Sequence, residues 1–237
     1  FIYRITEPTD ERGFRHTAKR LRGRSLYLAL LNRAVANWLV QRLDLPPTNV
    51  LYAGGGVIEL LLPPVGLVQA QLSDALRDLS DGMWDTFHGD LGFAHATTPM
   101  QPRDFANVQR TRTRLEQELA IAKRRKWHER LEREDFFSHE KIYHTCPVCE
   151  ITPVKRICDL CDRHKQIGQR LPYTVALAHA LERPPQGDIS IALPGALEGY
   201  LTLVSAEEQR ALLRWAEQNQ QPLLLQGVNE MPQDVET

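Results

Sequence analysis

The sequence predicts an α+β fold, and three observations support that prediction. Apolar residues recur at helical spacing in two stretches, over residues 25–45 and 67–79. Short apolar runs flank three consecutive glycines at residues 54–56, as strands flank a tight turn. Four cysteines fall within sixteen residues, which is typical of a small metal-binding module. With 42% hydrophobic residues among 237, the chain can bury a core around these elements.

The first predicted element is a short strand, because residues 1–6 alternate bulky and polar side chains. A helix then begins near residues 23–25, where Ser25 caps it, and continues to Leu45 before two prolines. Its apolar residues form a single stripe, so we expect this helix to cover a sheet.

The glycine hairpin follows at residues 51–63, and a second amphipathic helix comes after it. A strand near residues 91–96 completes the order strand, helix, strand, strand, helix, strand. This βαββαβ order is the ferredoxin-like arrangement that RNA-recognition domains and polymerase palms share. We therefore assign residues 1–102 to a ferredoxin-like palm domain.

The rest of the chain divides into three parts. Residues 103–142 form a helical arm, because a long helix with a thin apolar row is predicted over residues 103–134. Residues 143–172 contain all the cysteines and form a zinc-binding module. Residues 173–237 form a small α/β segment with an acidic tail. The elements predicted within this last segment are a helix over 173–181, strands over 189–193, 200–204 and 223–227, and a helix over 206–218.

The cysteines form two CxxC pairs separated by eight residues. Two residues between thiolates let backbone N–H groups turn toward the sulfurs, and two facing pairs supply the tetrahedral four-thiolate shell that zinc accepts. No position stays open for water, so we expect a structural metal; disulfides or a redox pair are the alternative. His144 and His164 are assigned to the surroundings of the site or to the surface. The predicted ligands are Cys146, Cys149, Cys158 and Cys161.

The glycine hairpin has two interpretations, a simple tight turn or part of a nucleotide site. In nucleotide-polymerising palms a double glycine at this turn lets a triphosphate lie against bare backbone, and two acids just after it hold divalent metals. Here Val57 and Ile58 follow the glycines, so the metal ligands are missing. A helix start also favours anions through its free amides. The candidate nucleotide-binding residues are Arg24, Ser25, Gly54, Gly55 and Gly56.

The net charge of −1 hides a basic stretch over residues 12–24, which carries six Lys or Arg residues and no acid. Such a run is either a solvated surface or a contact for the phosphates of RNA or of a nucleotide. A second basic run, over residues 123–126, is assigned to a solvated helix face. The candidate phosphate contacts are Arg12, Arg15, Lys19, Arg20 and Arg22.

The sequence gives little support for a catalytic site. Asp85, His88 and Asp90 lie close together, but a turn attracts such residues without any chemistry, and no adjacent His-Asp pair of the phosphohydrolase type occurs. Glu59 is the only acid near the glycine turn, and one acid is a poor two-metal site. We therefore assign no catalytic residue.

The sequence favours a cytoplasmic protein with no membrane partner. No apolar run approaches the roughly 20 residues that cross a bilayer, and the start lacks the layout of a signal peptide. The chain begins with Phe1 rather than Met, and we expect it to be part of a longer polypeptide.

Together these pieces resemble the large, polymerase-like subunit of type III CRISPR effector complexes. The resemblance rests on residues 19–28 (KRLRGRSLYL), on residues 51–56 (LYAGGG) with the apolar strand that follows, and on the paired CxxC motifs after them. It covers residues 1–205 and weakens beyond.

The resemblance implies a multidomain protein with an HD nuclease domain, two palm domains, a zinc module between the palms and a helical C-terminal domain. Members of this family bind guide RNA, target RNA and other effector subunits. They join ATP into cyclic oligoadenylates between the two palms and cut single-stranded DNA with the HD domain. This chain then corresponds to the first palm and the zinc module, with Ser25 and the glycines near a bound ATP.

Two departures limit what the chain does alone. The Gly-Gly-Asp-Asp motif that catalyses cyclisation belongs to the second palm and does not occur in this sequence, and the HD dyad is also missing. We expect a non-catalytic half of an ATP pocket, with ATP and Mg²⁺ acting only in the complete two-palm protein.

Two other functions stay open at this point. One is a free-standing RNA-binding protein with a ferredoxin-like fold and a zinc ribbon, although Tyr52 is the only aromatic residue in the hairpin. The other is an active nucleotidyltransferase that uses Glu59 with Asp85 or Asp90, although two-metal phosphoryl transfer needs several converging carboxylates.

Overall fold

Helices cover both faces of a four-stranded antiparallel sheet, and the main core lies on one of these faces. The α+β class is thus confirmed. The computed structural model describes residues 16–131, 144–185, 189–195, 197 and 199–228. Within these residues, no helix is long and apolar enough to cross a membrane. The predicted first strand, residues 1–6, lies outside the described residues.

The first helix, α1, spans Thr17–Arg42 and begins earlier than predicted. Ser25 therefore does not cap it and lies exposed within the helix. Lys and Arg are good helix formers, so the basic stretch continues the helix rather than preceding it. The prediction of a start near residues 23–25 is wrong because Gly23 marks a close helix contact and not a helix end.

The glycine hairpin is confirmed. Strands β1 (Val50–Gly54) and β2 (Val57–Leu60) pair antiparallel with Gly54 opposite Val57. Gly55 and Gly56 form the two-residue turn with φ values of 57° and 79°, a left-handed conformation that glycine adopts without steric cost. The side-chain amide of Asn32 donates to the Val57 carbonyl oxygen at 3.1 Å, which holds the hairpin beside the middle of α1.

The second helix, α2, spans Gly66–Phe87 as predicted, but the strand expected near residues 91–96 does not form. That stretch is irregular because no neighbouring strand pairs with it. Its side chains Leu91 and Phe93 pack individually against the core. At Gly92, an added Cβ would lie 2.7 Å from Cη2 of Trp127, so the backbone there lies against an indole ring. The described part of residues 1–102 therefore contains α1, α2 and the hairpin, which is a two-stranded sheet of its own. The βαββαβ order predicted for this range is not confirmed, because its last strand does not form and its first lies outside the described residues.

The predicted long helix over residues 103–134 is interrupted. Helix α3 spans Val108–Arg124 and a short helix, α4, spans His128–Leu131. Trp127 between them has φ of 69°, which breaks the helix and directs its ring edge-on to Trp84 at 5.0 Å. Helix α3 is largely exposed, since Thr111 is its only buried residue. A helical arm over residues 103–142 stays a prediction, and residues 132–142 lie outside the described residues.

Helix α5 (Asp159–Arg170) completes the cysteine module, and the chain then enters the main sheet. The sheet order is β4-β5-β3-β6, all antiparallel, so β5 and β6 run parallel on either side of β3. Helix α6 (Ala206–Gln218) joins β5 to β6 in a split βαβ unit. The predicted strands and α6 are confirmed. The strands are β3 (Ala176–Ala180), β4 (Ile189–Ala192), β5 (Tyr200–Val204) and β6 (Leu223–Gly227).

The structure corrects the helix predicted over residues 173–181, where strand β3 lies instead. Alanines favour a helix locally, but this segment is buried on both faces, and a strand buried on both faces loses the polar alternation that identifies it. Leu177 belongs to the core shared with α1, whereas Ala176 and Ala178 pack with Leu212 of α6.

Helices α1 and α5 cross with their backbones in contact, at Gly23 and Gly168. A Cβ at Gly23 would overlap the carbonyl oxygen of His164 and lie 2.7 Å from its carbon. A Cβ at Gly168 would overlap the carbonyl of Lys19 in the same way. The cysteine module is thereby joined to the first helix of the chain.

We expect Gly23→Ala to destabilise the protein by about 3 kcal/mol, because the added methyl forces the two helices apart and overpacking outweighs the better helix propensity of alanine. Urea unfolding measures the change. The matched control is Gly66→Ala, where an added Cβ meets nothing within 4 Å, and it should change stability by less than about 0.5 kcal/mol. Equal stability of the two variants would contradict the crossing.

Candidate metal centre and nucleotide hairpin

The four cysteines converge as the sequence predicts. Their Sγ atoms all lie within 4.8 Å of one another, all four side chains are buried, and none is disulfide-bonded. The first pair lies in a turn, and the second pair lies at the start of α5, with Cys158 as its N-cap and Cys161 in its first turn. The prediction of two facing CxxC pairs is therefore confirmed.

The donor set and its geometry fit a tetrahedral zinc ion. Zn–S bonds of about 2.3 Å place the sulfurs of such a site about 3.8 Å apart, and the Cys149 and Cys158 sulfurs are 3.9 Å apart. The backbone N–H of Cys158 donates to Cys146 Sγ at 3.3 Å, so a hydrogen bond joins the second CxxC pair to the first. These residues would hold a structural metal with no ligand position for water.

The thiols influence one another's ionisation strongly. Hydrogen bonds from Cys158 and Cys161 lower the pKa of the Cys149 thiol. The hydrogen bond to Cys149, together with burial, raises the pKa of both Cys158 and Cys161. Among these three thiols the protein therefore favours the thiolate of Cys149. A divalent cation bound by the cluster would favour ionisation of the sulfurs that ligate it.

A buried arginine from α1 contacts this cluster. Arg24 is only 2% exposed, and its Nη2 donates to Cys161 Sγ at 3.5 Å. Four thiolates around a divalent ion leave a charge of −2, so this guanidinium stabilises the loaded site. From the sequence alone, Arg24 is assigned to a nucleotide site and this contact is missed. Gly23 within a helical pattern could have indicated it, because a glycine there marks close packing of another element.

The two histidines near the cysteines differ in their surroundings. His164 is buried against the ring of Tyr27, with ring centroids 5.2 Å apart. Burial and the Arg24 charge lower the pKa of His164 to about 3, although Cys149 opposes the shift. This imidazole is therefore neutral at physiological pH. His144 is exposed, so the two correspond to the surroundings and the surface that the sequence predicts.

The glycine hairpin offers bare backbone at the surface. Gly55, Gly56 and Val57 are exposed, and a Cβ at Gly56 would meet nothing within 4 Å. The one acid nearby, Glu59, accepts from Arg112 Nη2 of α3 at 2.8 Å. Its carboxylate is thus engaged in an ion pair with the arm.

The structure does not bring every candidate nucleotide-binding residue together. Asn32 contacts the hairpin, and Ser25 lies seven residues earlier on α1, about 10 Å along the helix axis. Arg24 is directed at the cysteine cluster instead of the hairpin. Of the candidate nucleotide-binding residues, the three glycines lie together at the turn, and Ser25 lies apart from them on α1.

The candidate phosphate contacts are divided between the helix crossing and the surface. Arg20 is buried, whereas Arg22 is exposed and donates to the Gly168 carbonyl oxygen at 3.4 Å. Lys19 is half-buried at the same crossing, where its carbonyl meets Gly168. Arg12 and Arg15 lie outside the described residues. Part of the basic stretch thus packs against α5.

The cluster of acids and histidine near residues 85–90 forms the end of α2. His88 is its C-cap with φ of 49°, a conformation typical of a helix end. Asp85 and His88 are exposed. The structure thus agrees with the interpretation of residues 85–90 as a turn at the end of a helix.

Comparisons with known proteins place the chain among effector subunits. Residues 1–141 match the family model described as Csm1 subunit domain B. A CRISPR system single-strand-specific deoxyribonuclease Cas10/Csm1 (subtype III-A) of Thermococcus onnurineus is 23% identical over 219 residues, which is 85% of this chain and 27% of that protein.

Solved structures support the same fold. A Csm1-Csm4 cassette in complex with one ATP has a TM-score of 0.59 at 20% identity and covers 80% of this chain and 23% of its own. A Csm1-Csm4 cassette in complex with cA4 has a TM-score of 0.55 at 17% identity, over 80% and 22% respectively. The chain thus spans about a quarter of the length of these proteins.

We expect the purified protein to contain about one zinc ion per chain, and Cys158→Ser to lose that zinc with local unfolding of the module. Elemental analysis by mass spectrometry and hydrogen exchange over residues 144–170 measure both effects. The control His144→Ala should keep its zinc, because that side chain is exposed. A zinc-free protein with disulfide-bonded cysteines would overturn this prediction.

We expect Arg24→Gln to lower zinc affinity about 10- to 100-fold, because the loaded thiolate cluster loses its buried counter-charge. Arg24→Lys should restore part of the affinity. Competition with a chromophoric chelator measures it, and Arg42→Gln makes the same charge change at the exposed other end of α1. Equal zinc affinity in all four proteins would show that Arg24 does not act on the site.

Proposed function

The chain belongs to the Csm1 family, and from this we propose that it serves in a cytoplasmic type III CRISPR effector complex, where its glycine hairpin supplies one side of an ATP-binding pocket. The domain B match over residues 1–141 supports membership of such a subunit. The hairpin carries the nucleotide part of the proposal, because Gly55 and Gly56 leave exposed backbone on which a triphosphate can lie.

We assign this chain a binding role and not a catalytic one. Val57 and Ile58 stand where a polymerising palm has acids, and Glu59 is paired with Arg112. Two-metal chemistry therefore requires carboxylates from elsewhere. We propose that these carboxylates come from a second palm of the full-length protein. The complete two-palm protein then binds ATP with Mg²⁺ and makes cyclic oligoadenylate.

The similar structures support this assignment of ligands. The neighbours are Csm1-Csm4 cassettes in complex with ATP and with cA4, and we propose that this chain's full-length protein binds the same class of nucleotide. We also propose other effector subunits, guide RNA and target RNA as partners. The deoxyribonuclease activity in the name of the Thermococcus relative is not proposed for this chain, whose sequence has no adjacent His-Asp pair.

A free-standing RNA-binding protein is the second candidate, and one observation favours it. Tyr52 on β1 is 50% exposed, and an exposed aromatic on a strand can stack on a base. The family match favours the effector subunit over this alternative, since it spans more than half of the chain.

We expect this chain alone to give no product from ATP and Mg²⁺, and the full-length protein in its complex to make cyclic oligoadenylate. In that complex, Gly54→Val should weaken ATP binding about tenfold or more, because its side chain covers the backbone at the turn, whereas a strand accepts valine. Binding of a fluorescent ATP analogue and product chromatography measure the two effects.

The control for the hairpin variant is Gly66→Ala, whose added Cβ meets nothing within 4 Å. It should bind ATP as the unchanged protein does. Turnover by the isolated chain would overturn the non-catalytic role, and unchanged ATP affinity of Gly54→Val would remove the hairpin from the pocket.

A further inference from the structure

The solvent-facing side of α3 carries a row of arginines that the proposed function does not use. Arg110, Arg114 and Arg124 are all exposed. At 3.6 residues per turn they share a face with Thr113, Gln117 and Ile121, and these six residues lie within an arc of about 100°. We call these six residues the arginine face.

The arginine face contains no acid. Glu116 and Glu118, the acids of α3, lie outside its arc on the flanking sides of the helix. Thr111, the one buried residue, lies about 100° from Arg110, toward the body of the protein. Among the described residues, the guanidinium groups of Arg110, Arg114 and Arg124 form no ion pair. Their positive charge is therefore directed to solvent.

The orientation of α3 is fixed from both ends. On the side opposite the arginine face, Arg112 pairs with Glu59 of β2 at 2.8 Å. Beyond the C-terminal end, Trp127 packs edge-on to Trp84, and Arg130 pairs with Asp81 of α2 at 2.8 Å while its guanidinium lies 4.9 Å from the Trp84 ring. Helix α3 and the segment after it are thus attached to β2 and α2 through residues outside the arginine face, which stays exposed.

The chemistry of the arginine face fits phosphates better than a protein surface. Arginine binds phosphate oxygens through two parallel N–H groups, and Arg110 and Arg124 are about 21 Å apart along the axis, enough for several phosphates of an extended strand. Protein interfaces depend on a buried apolar centre, and Ile121 is the only large apolar residue on this face. A linear polyanion is therefore the best-matched ligand.

We propose that the arginine face of α3 binds the phosphodiester backbone of a single-stranded nucleic acid. The contact is to the backbone, so it is independent of base sequence and sensitive to salt. It lies on a different element from the basic stretch of residues 12–24 and does not require nucleotide binding at the hairpin. Loss of RNA binding in arginine variants of α3 and loss of ATP binding in a hairpin variant are therefore separate outcomes.

The test compares the full zinc-loaded chain with the triple variant Arg110→Gln, Arg114→Gln, Arg124→Gln. Binding of a labelled single-stranded 20-mer RNA is measured by fluorescence anisotropy from about 50 to 200 mM salt. Each lost phosphate contact reduces the slope of log affinity against log salt by about 0.7, so we expect a slope smaller by about two and an affinity at least about tenfold lower.

A charge-matched control removes three exposed arginines elsewhere, by Arg77→Gln, Arg210→Gln and Arg214→Gln on α2 and α6. It should retain most of the affinity and the slope. Parallel titrations with DNA of the same sequence and with poly-glutamate distinguish the polyanions. Similar losses for RNA and DNA support a backbone contact, and loss for RNA alone supports a contact that includes the ribose.

Three results would overturn the proposal: no RNA binding by the unchanged chain, equal losses in the triple variant and its control, or a preference for poly-glutamate over both nucleic acids. The last result would assign the face to an acidic protein. Circular dichroism checks that both variants fold, which we expect because the substituted side chains are exposed.

Discussion

The contact between Gly23 and Gly168 is the constraint on which the rest of the structure depends. It brings the backbones of α1 and α5 together closely enough to exclude a Cβ from either position. That approach places Arg24 at the Cys161 sulfur and Tyr27 against His164. The cysteine module is thereby joined to a long helix that begins far from it in sequence.

Helix α1 also contacts the other parts of the fold. Its N-terminal half packs on α5, Asn32 holds the glycine hairpin, and residues from Leu30 to Leu39 enter the core with Leu177, Leu201 and Leu203 of the sheet. The main core therefore combines residues from the predicted palm, the cysteine module and the C-terminal segment. A metal held by the four cysteines would lie beside α5, which packs directly on the helix that contacts the glycine hairpin.

The charged side chains of these elements have different surroundings. Arg24 is buried and serves the thiolate cluster, Glu59 and Arg112 join the hairpin to the arm, and the arginines of α3 remain toward solvent. No described cluster of acids lies at the glycine turn to bind a catalytic metal, within residues 50–60. Among the described residues of the hairpin, Glu59 is the one acid, and its carboxylate is paired with Arg112.

Local patterns alone determined the two CxxC pairs, the glycine turn and the amphipathic helix α2, because each depends on residue types at short spacing. The same patterns located β5, α6 and β6 correctly. Tertiary contacts decided the rest. Ala176–Ala180 became a strand because both its faces are buried, residues 91–96 lacked a partner strand, and Arg24 turned from a surface candidate into a buried counter-charge. Burial on two faces, strand pairing and helix crossing all depend on contacts between residues that are distant in sequence. The residue pattern of a single stretch therefore cannot predict them.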